Sequence, residues 1–182
     1  MMIKNIFSDV SYIEPEIYKD DRGFFSEIYN EELFKKNNLK INYIQDNFSS
    51  SKLKNTIRGL HFQKKPFEQT KLIKVINGSI LDVFVDLREE SNNFGAHSSI
   101  ELTQDMGWVL IPKGFAHGFK TLENNTSVLY KVDEFYNKEN DSGIIWNDNF
   151  LNIDWNLSSD PVLSDKDKNL PNWDSIITGL KE

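Results

Sequence analysis

Residues 57–75, IRGLHFQKKPFEQTKLIKV, bring together Arg58, His61, Gln63 and Lys71 in a chain that has only three histidines and three arginines. Imidazole titrates near neutral pH and serves as a general base, most effectively when a carboxylate orients its second nitrogen. Two aspartates in LSDKD (163–167), Asp165 and Asp167, are candidates for that partner, and their spacing does not choose between them. A phenol supplies the complementary acid because it keeps its proton at neutral pH, and both Tyr130 and Tyr136 in YKVDEFY qualify. Guanidinium suits bidentate phosphate binding, which singles out Arg22 in DDRGFF and Arg58 in IRGLHF, each beside a glycine. Each group taken alone has a plainer explanation: a satisfied core histidine, a packed aromatic, a solvated carboxylate.

A second histidine, His117, lies in GWVLIPKGFAHGF (107–119), of the form G-x4-P-x-G-x2-H. Proline and glycine there make a tight turn, after which the chain re-enters with His117 pointing inward. This pattern resembles the second motif of the cupin superfamily, in which the histidine usually binds a metal. The first cupin motif should then supply H-x-H, but here Gln63 stands where the second histidine belongs. An amide oxygen is a poor ligand for a metal that wants several imidazoles or carboxylates, so no metal cofactor is expected.

The elements that must position these groups read mainly as strands. KLIKVI (71–76), ILDVFVDL (80–87), SSIEL (98–102), WVLIP (108–112) and SVLYKV (127–132) alternate with period two. In 81–88 an apolar set, Leu81, Val83, Val85 and Leu87, alternates with Asp82, Phe84, Asp86 and Arg88, giving one apolar and one mixed face. Asn77-Gly78 carries a hairpin signature, while 92–95 and 123–127 read as loops. Strand alternation places Ile57, Gly59, His61 and Gln63 on one face and Arg58, Leu60 and Phe62 on the other, unless a bulge at Gly59 intervenes. Helices are expected only over 31–37, capped by Asn30, and over 173–180. Many short strands predict an all-β sandwich or jelly-roll barrel, whose hollow interior can be lined by inward polar residues.

Composition narrows the classes. With 182 residues and 38% apolar content, the chain can bury a core, and one domain over 1–182 is expected. A net charge of −7 argues against a nucleic-acid surface. No apolar run approaches a membrane span, and MMIKNIFSDV lacks the long apolar segment of a signal peptide, so a cytoplasmic protein is expected. The absence of cysteine removes disulfides and thiol redox chemistry.

DDRGFFSE (20–27), QDNFS (45–49), RGLHFQ (58–63), QTKLIKVINGSILDVFVDLR (69–88), FG (94–95), IPKGFAHGF (111–119), YKVDEFY (130–136), GIIWND (143–148) and LSDKD (163–167) in series resemble the dTDP-4-dehydrorhamnose 3,5-epimerases. The resemblance implies a metal-free, cupin-like jelly roll, a homodimer with exchanged N-terminal strands, and a role in dTDP-L-rhamnose and surface polysaccharide biosynthesis. It implies that His61 is the base, Asp167 its partner, Tyr130 the acid on the opposite face, and Lys71 the stabiliser of an enolate. It further implies that Arg22, Phe24, Glu27, Gln45, Asn47, Arg58, His117, Asp141 and Lys166 bind the sugar and diphosphate of a dTDP-linked 4-keto-6-deoxy sugar, with Tyr136 stacked on thymine. Competing readings are an epimerase acting on one carbon, a metal-dependent cupin oxygenase and a sugar-binding cupin. Thr70 between Gln69 and Lys71, where the family often has glycine, alters only the rim of the site.

Overall fold

The structure, a computed structural model, describes residues 1–180. In chain order its elements are β1 (Met2–Phe7), β2 (Val10–Glu14), β3 (Ile17–Asp20), β4 (Gly23–Ser26), α1 (Glu31–Lys36), β5 (Gln45–Ser51), β6 (Ile57–Gln63), β7 (Lys71–Asn77) and β8 (Ser79–Asp86). They continue with β9 (His97–Thr103), β10 (Trp108–Ile111), β11 (Phe115–Thr121), β12 (Thr126–Val132), β13 (Asp141–Gly143), α2 (Asp165–Lys168) and α3 (Trp173–Leu180). A six-stranded sheet runs β1-β2-β10-β7-β12-β5 and a five-stranded sheet runs β13-β6-β11-β8-β9, with every pairing antiparallel. The two sheets face each other as a jelly roll.

Three apolar clusters hold the layers. Ile73, Val75, Phe84, Val109, Phe119 and Val128 come from both sheets and fill the interior. The outer face of the five-stranded sheet, with Leu81, Val83 and Val85, is covered by Ile144, Leu151, Trp155, Trp173 and Ile176 from the C-terminal segment. On the other side, α1 lays Phe34 over Leu72, Trp108 and Leu110. The alternation in β8 is therefore satisfied on both faces: its apolar set lies under the C-terminal layer, and its mixed set faces the barrel interior. That explains why the whole strand is buried.

Local signals set the helix ends. Asn30 caps α1 by accepting from the Leu33 amide, and Glu31–Lys35 pairs along its exposed side. The Asn-Gly turn behaves differently from its hairpin signature. Gly78 adopts φ of 80°, but β7 pairs with β10 and β12 while β8 pairs with β9 and β11, so the turn arches from one sheet to the other. The dipeptide specifies a tight reversal; sheet partners are chosen by contacts distant in sequence.

The hairpin β3–β4 stands apart as a two-stranded sheet of its own. It exposes Tyr18, Phe24 and Phe25, the last at 68%. An isolated hairpin with bare aromatics gains little from folding alone.

Candidate active site

A cavity of about 310 Å³ takes its polar lining from both sheets. The five-stranded sheet contributes Arg58, His61 and Gln63 from β6 and His117 from β11; the six-stranded sheet contributes Lys71 from β7 and Tyr130 from β12. Tyr136, Asp141, Lys166 and Asp167 complete it from the segments beyond β12.

A bulge puts Arg58 and His61 on the same face. His61 pairs with His117 and Arg58 with Phe119, so three steps along β6 match two along β11. The extra residue reverses the side-chain parity, whereas a regular strand would have sent Arg58 away from His61. Gly59 makes this possible, with φ of 126° and such close contact that a Cβ there would lie 2.5 Å from the Gly118 Cα. The alternation expected for a plain strand is thereby corrected: Ile57, Leu60 and Phe62 enter the outer core cluster, and Arg58 joins His61 and Gln63 at the cavity.

His61 Nε2 lies 2.5 Å from Asp167 Oδ1. Asp165, in contrast, points into solvent and pairs only with Lys168 at 3.3 Å. Asp167 is buried on the short helix α2, whose N-cap Ser164 donates to Asp167 Oδ2 at 2.8 Å and accepts from the Asp167 amide at 3.1 Å. Burial pushes the Asp167 carboxyl up, but His61, Ser164 and Lys166 more than offset this and hold it below the ordinary carboxylate range. With a carboxylate at Nε2, the neutral imidazole keeps its proton on that nitrogen and leaves the Nδ1 lone pair free to accept another.

Lys71 is buried, and its ammonium donates to the His61 carbonyl oxygen at 3.1 Å, linking the two sheets. Burial lowers its pKa to about 8, against the pull of Asp141 and Asp82. Burial pushes the Tyr130 phenol up and so keeps it protonated at neutral pH, against the opposing pull of Arg58. His117 Nε2 meets the fully buried Asp82 Oδ1 at 2.7 Å, and burial lowers the imidazole pKa despite that partner.

The remaining sequence candidates sit further out. Gln45 and Asn47 lie on β5 on the same face as Ser49, which lines the cavity, and Asn47 is the ladder partner of Tyr130. Arg22, Phe24 and Glu27 do not line it: Arg22 pairs with Asp20 on the β3–β4 hairpin, Phe24 is exposed, and Glu27 accepts from Asn30. Ser49, Gln69 and Ser164 line the cavity without having been singled out for roles. A capping-box pattern, Ser164-x-x-Asp167, was the available signal for Ser164 and for α2. Among the described residues no group of three or more His, Cys, Asp or Glu side chains is arranged to hold a metal ion. No helix among them is long and apolar enough to cross a membrane.

The family model described as dTDP-4-dehydrorhamnose 3,5-epimerase matches residues 4–175. The chain belongs to this epimerase family. Family members are isomerases of nucleotide-sugar biosynthesis. Epimerase-family sequences similar to it include the dTDP-4-dehydrorhamnose 3,5-epimerase of Methanothermobacter thermautotrophicus, 44% identical over 92% of this chain and 91% of that relative. Among solved structures, the Bacillus anthracis dTDP-4-dehydrorhamnose 3,5-epimerase, with TDP and PPi bound, superposes with a TM-score of 0.89 at 48% identity, covering 94% of this chain and 99% of that one. The Legionella pneumophila dTDP-6-deoxy-D-glucose-3,5-epimerase, in complex with dTDP-4-keto-L-rhamnose, gives 0.92 at 37% identity over 98% and 96%. The cupin-like jelly roll expected from the motifs is thus the fold of the epimerase family as well as of this chain.

Proposed function

We propose that this protein converts dTDP-4-dehydro-6-deoxy-D-glucose to dTDP-4-dehydro-L-rhamnose by inverting C3 and C5 through an enolate. The observation that carries the reading is the opposition across one cavity of the His61–Asp167 dyad, on the five-stranded sheet side, and Tyr130, on the six-stranded sheet. His61 Nδ1 takes the proton from the carbon next to the C4 ketone. The electron pair moves onto the ketone oxygen, where the Lys71 ammonium stabilises the negative charge. Tyr130 then delivers its proton to the other face of the same carbon, inverting it. Proton return from His61 to Tyr130 through solvent resets the pair before the second carbon reacts.

Binding follows from the charges around that centre. Arg58 and Lys166 hold the diphosphate on a protein of net charge −7, because local cations outweigh the mean field at contact distance. His117 and Asp141 orient the sugar, and Tyr136 stacks on thymine. Gln45 and Asn47 extend the lining along β5.

The working unit is a homodimer in which N-terminal strands are exchanged, so that Arg22, Phe24 and Glu27 complete the partner's cavity. Support comes from the detached β3–β4 hairpin and its bare aromatics, which an adjoining subunit would cover.

The test is turnover in D2O followed by proton NMR, with His61→Asn and Tyr130→Phe as controls. Solvent deuterium at both C3 and C5, and loss of turnover in both variants, are expected. Exchange at C3 alone would replace the double epimerase with a single-carbon enzyme, and full activity of both variants would refute the acid–base pair.

A further inference from the structure

Gln63 occupies the position at which a metal-binding cupin would present its second histidine, and its side-chain amide is bound at both ends to backbone groups. Its amide nitrogen, Nε2, donates to the Phe67 carbonyl at 2.6 Å and to the Phe135 carbonyl at 3.1 Å, and its Oε1 accepts from the Asn137 amide at 2.6 Å. The side chain is buried, with 6% of the residue exposed. Phe135 C=O and Asn137 N–H belong to the two peptide units that flank the Tyr136 Cα. One side chain therefore holds both peptide planes around that residue, and with them the direction of its Cα–Cβ bond.

The Tyr136 ring needs such help. Tyr136 is 58% exposed, outside any strand, and its hydroxyl has a single hydrogen bond, to Asp141 Oδ2 at 3.0 Å. A ring mostly in water does not find one orientation by packing. Holding its backbone lowers the ordering cost when a flat ligand stacks on it. The chemistry also explains the residue type: a primary amide offers two donors and an acceptor at once, which neither imidazole, carboxylate nor thioether can do.

We propose that Gln63 is a positioning residue for the nucleobase, acting through Tyr136 and never touching the ligand's reacting carbons; this rests on the reading that Tyr136 stacks on thymine. What the cupin scaffold elsewhere assigns to a metal ligand is here a clamp on the nucleotide end of the site. It sets affinity for the dTDP moiety and leaves proton transfer to His61 and Tyr130.

The experiment is a double-mutant cycle on dTDP binding, read by titration calorimetry with wild type, Gln63→Met, Gln63→Glu, Tyr136→Ala and the Gln63→Met/Tyr136→Ala pair. Each Gln63 variant should weaken dTDP about tenfold, and the pair should bind within about twofold of Tyr136→Ala alone, because coupled residues do not add. In steady state KM should rise about tenfold while kcat changes by less than about threefold. Unchanged dTDP affinity in the Gln63 variants, or a full additive loss in the pair, overturns the proposal. A wild type that binds no dTDP would instead defeat the substrate reading. Hydrogen exchange in the unaltered protein keeps the clamp testable on its own: the Asn137 amide should be protected, and exchange at the rate of a free loop amide overturns the proposal even if no variant folds.

Discussion

His61 and His117 stand directly opposite each other on paired strands β6 and β11, and each is held through Nε2 by its own carboxylate, Asp167 at 2.5 Å and Asp82 at 2.7 Å. The two dyads differ in exposure: the His61 side chain is 31% open to the cavity and that of His117 9%. The open dyad suits proton transfer and the closed one suits fixing a binding group. Asp167→Asn should lower kcat by about 10³–10⁴-fold, as when a base is left in the wrong tautomer. Asp82→Asn should act mainly on KM, by about tenfold, through loss of His117 orientation. Steady-state kinetics of the two variants side by side checks this division.

Lys71, in the proposed role of enolate stabiliser, predicts the alkaline side of the pH profile. Its ammonium is the charged form below about 8 and is lost above it, so kcat/KM should fall as pH rises through about 8. Lys71→Met should cost about 10²–10³-fold in kcat and abolish that limb in the residual activity. The stability sign is opposite. A buried lysine whose folded pKa lies below 10.5 binds fewer protons folded than unfolded between about 8 and 10.5, so this group's penalty on folding is full below 8 and relieved on going higher. Lys71→Met should therefore raise Tm by about 2–4 °C at neutral pH. Rate and melting measurements across pH test both halves.

Gly59→Ala tests the bulge. The new methyl would meet the Gly118 Cα at 2.5 Å and the His117 carbonyl oxygen at 2.8 Å, at a φ of 126° that L side chains avoid. A loss of about 2–4 kcal/mol in stability is expected, together with loss of activity because Arg58 and His61 no longer share a face. Denaturant unfolding alongside turnover separates the two effects.

Ser164→Ala removes both the cap of α2 and the donor to Asp167 Oδ2. It should cost about 1 kcal/mol of stability. Because Asp167 lies below the ordinary carboxylate range, its pairing stabilises the fold above that range and is lost as pH falls through the lowered value; the variant should lose it at higher pH than wild type. Acid unfolding curves of the two proteins provide the comparison.

The proposed exchange of N-terminal strands predicts complementation. His61→Asn and Arg22→Ala subunits, each nearly inactive as homodimers, should recover up to about a quarter of wild-type specific activity after co-refolding, since half of the dimers are mixed and carry one intact site. No recovery, despite mixed dimers seen by mass spectrometry, would refute the exchange.

Much of the scaffold was legible because it depends on nearest neighbours. Five strands, the Asn30-capped helix and the C-terminal helix followed from period and caps. Strands β1–β5, β11 and β13 and the four-residue α2 escaped, since none has a sustained apolar alternation long enough to read. The Asn-Gly turn was recognised, yet its strands went to different sheets.

The sequence by itself determined the chemical inventory: histidines able to act as bases, phenols, a lysine and scarce arginines, and glutamine in place of a second metal-binding histidine. Motif order carried the family resemblance. Tertiary structure decided which of these groups meet. The choice of Asp167 over Asp165 depends on which side of a single helical turn faces β6, across 106 positions of sequence. Placing Arg58 beside His61 depends on one extra residue in a ladder, accommodated by two glycines in contact. Strand period reports only alternation within a chain segment; register and bulges are set by the partner strand, so the site's geometry emerges only when both sheets are assembled.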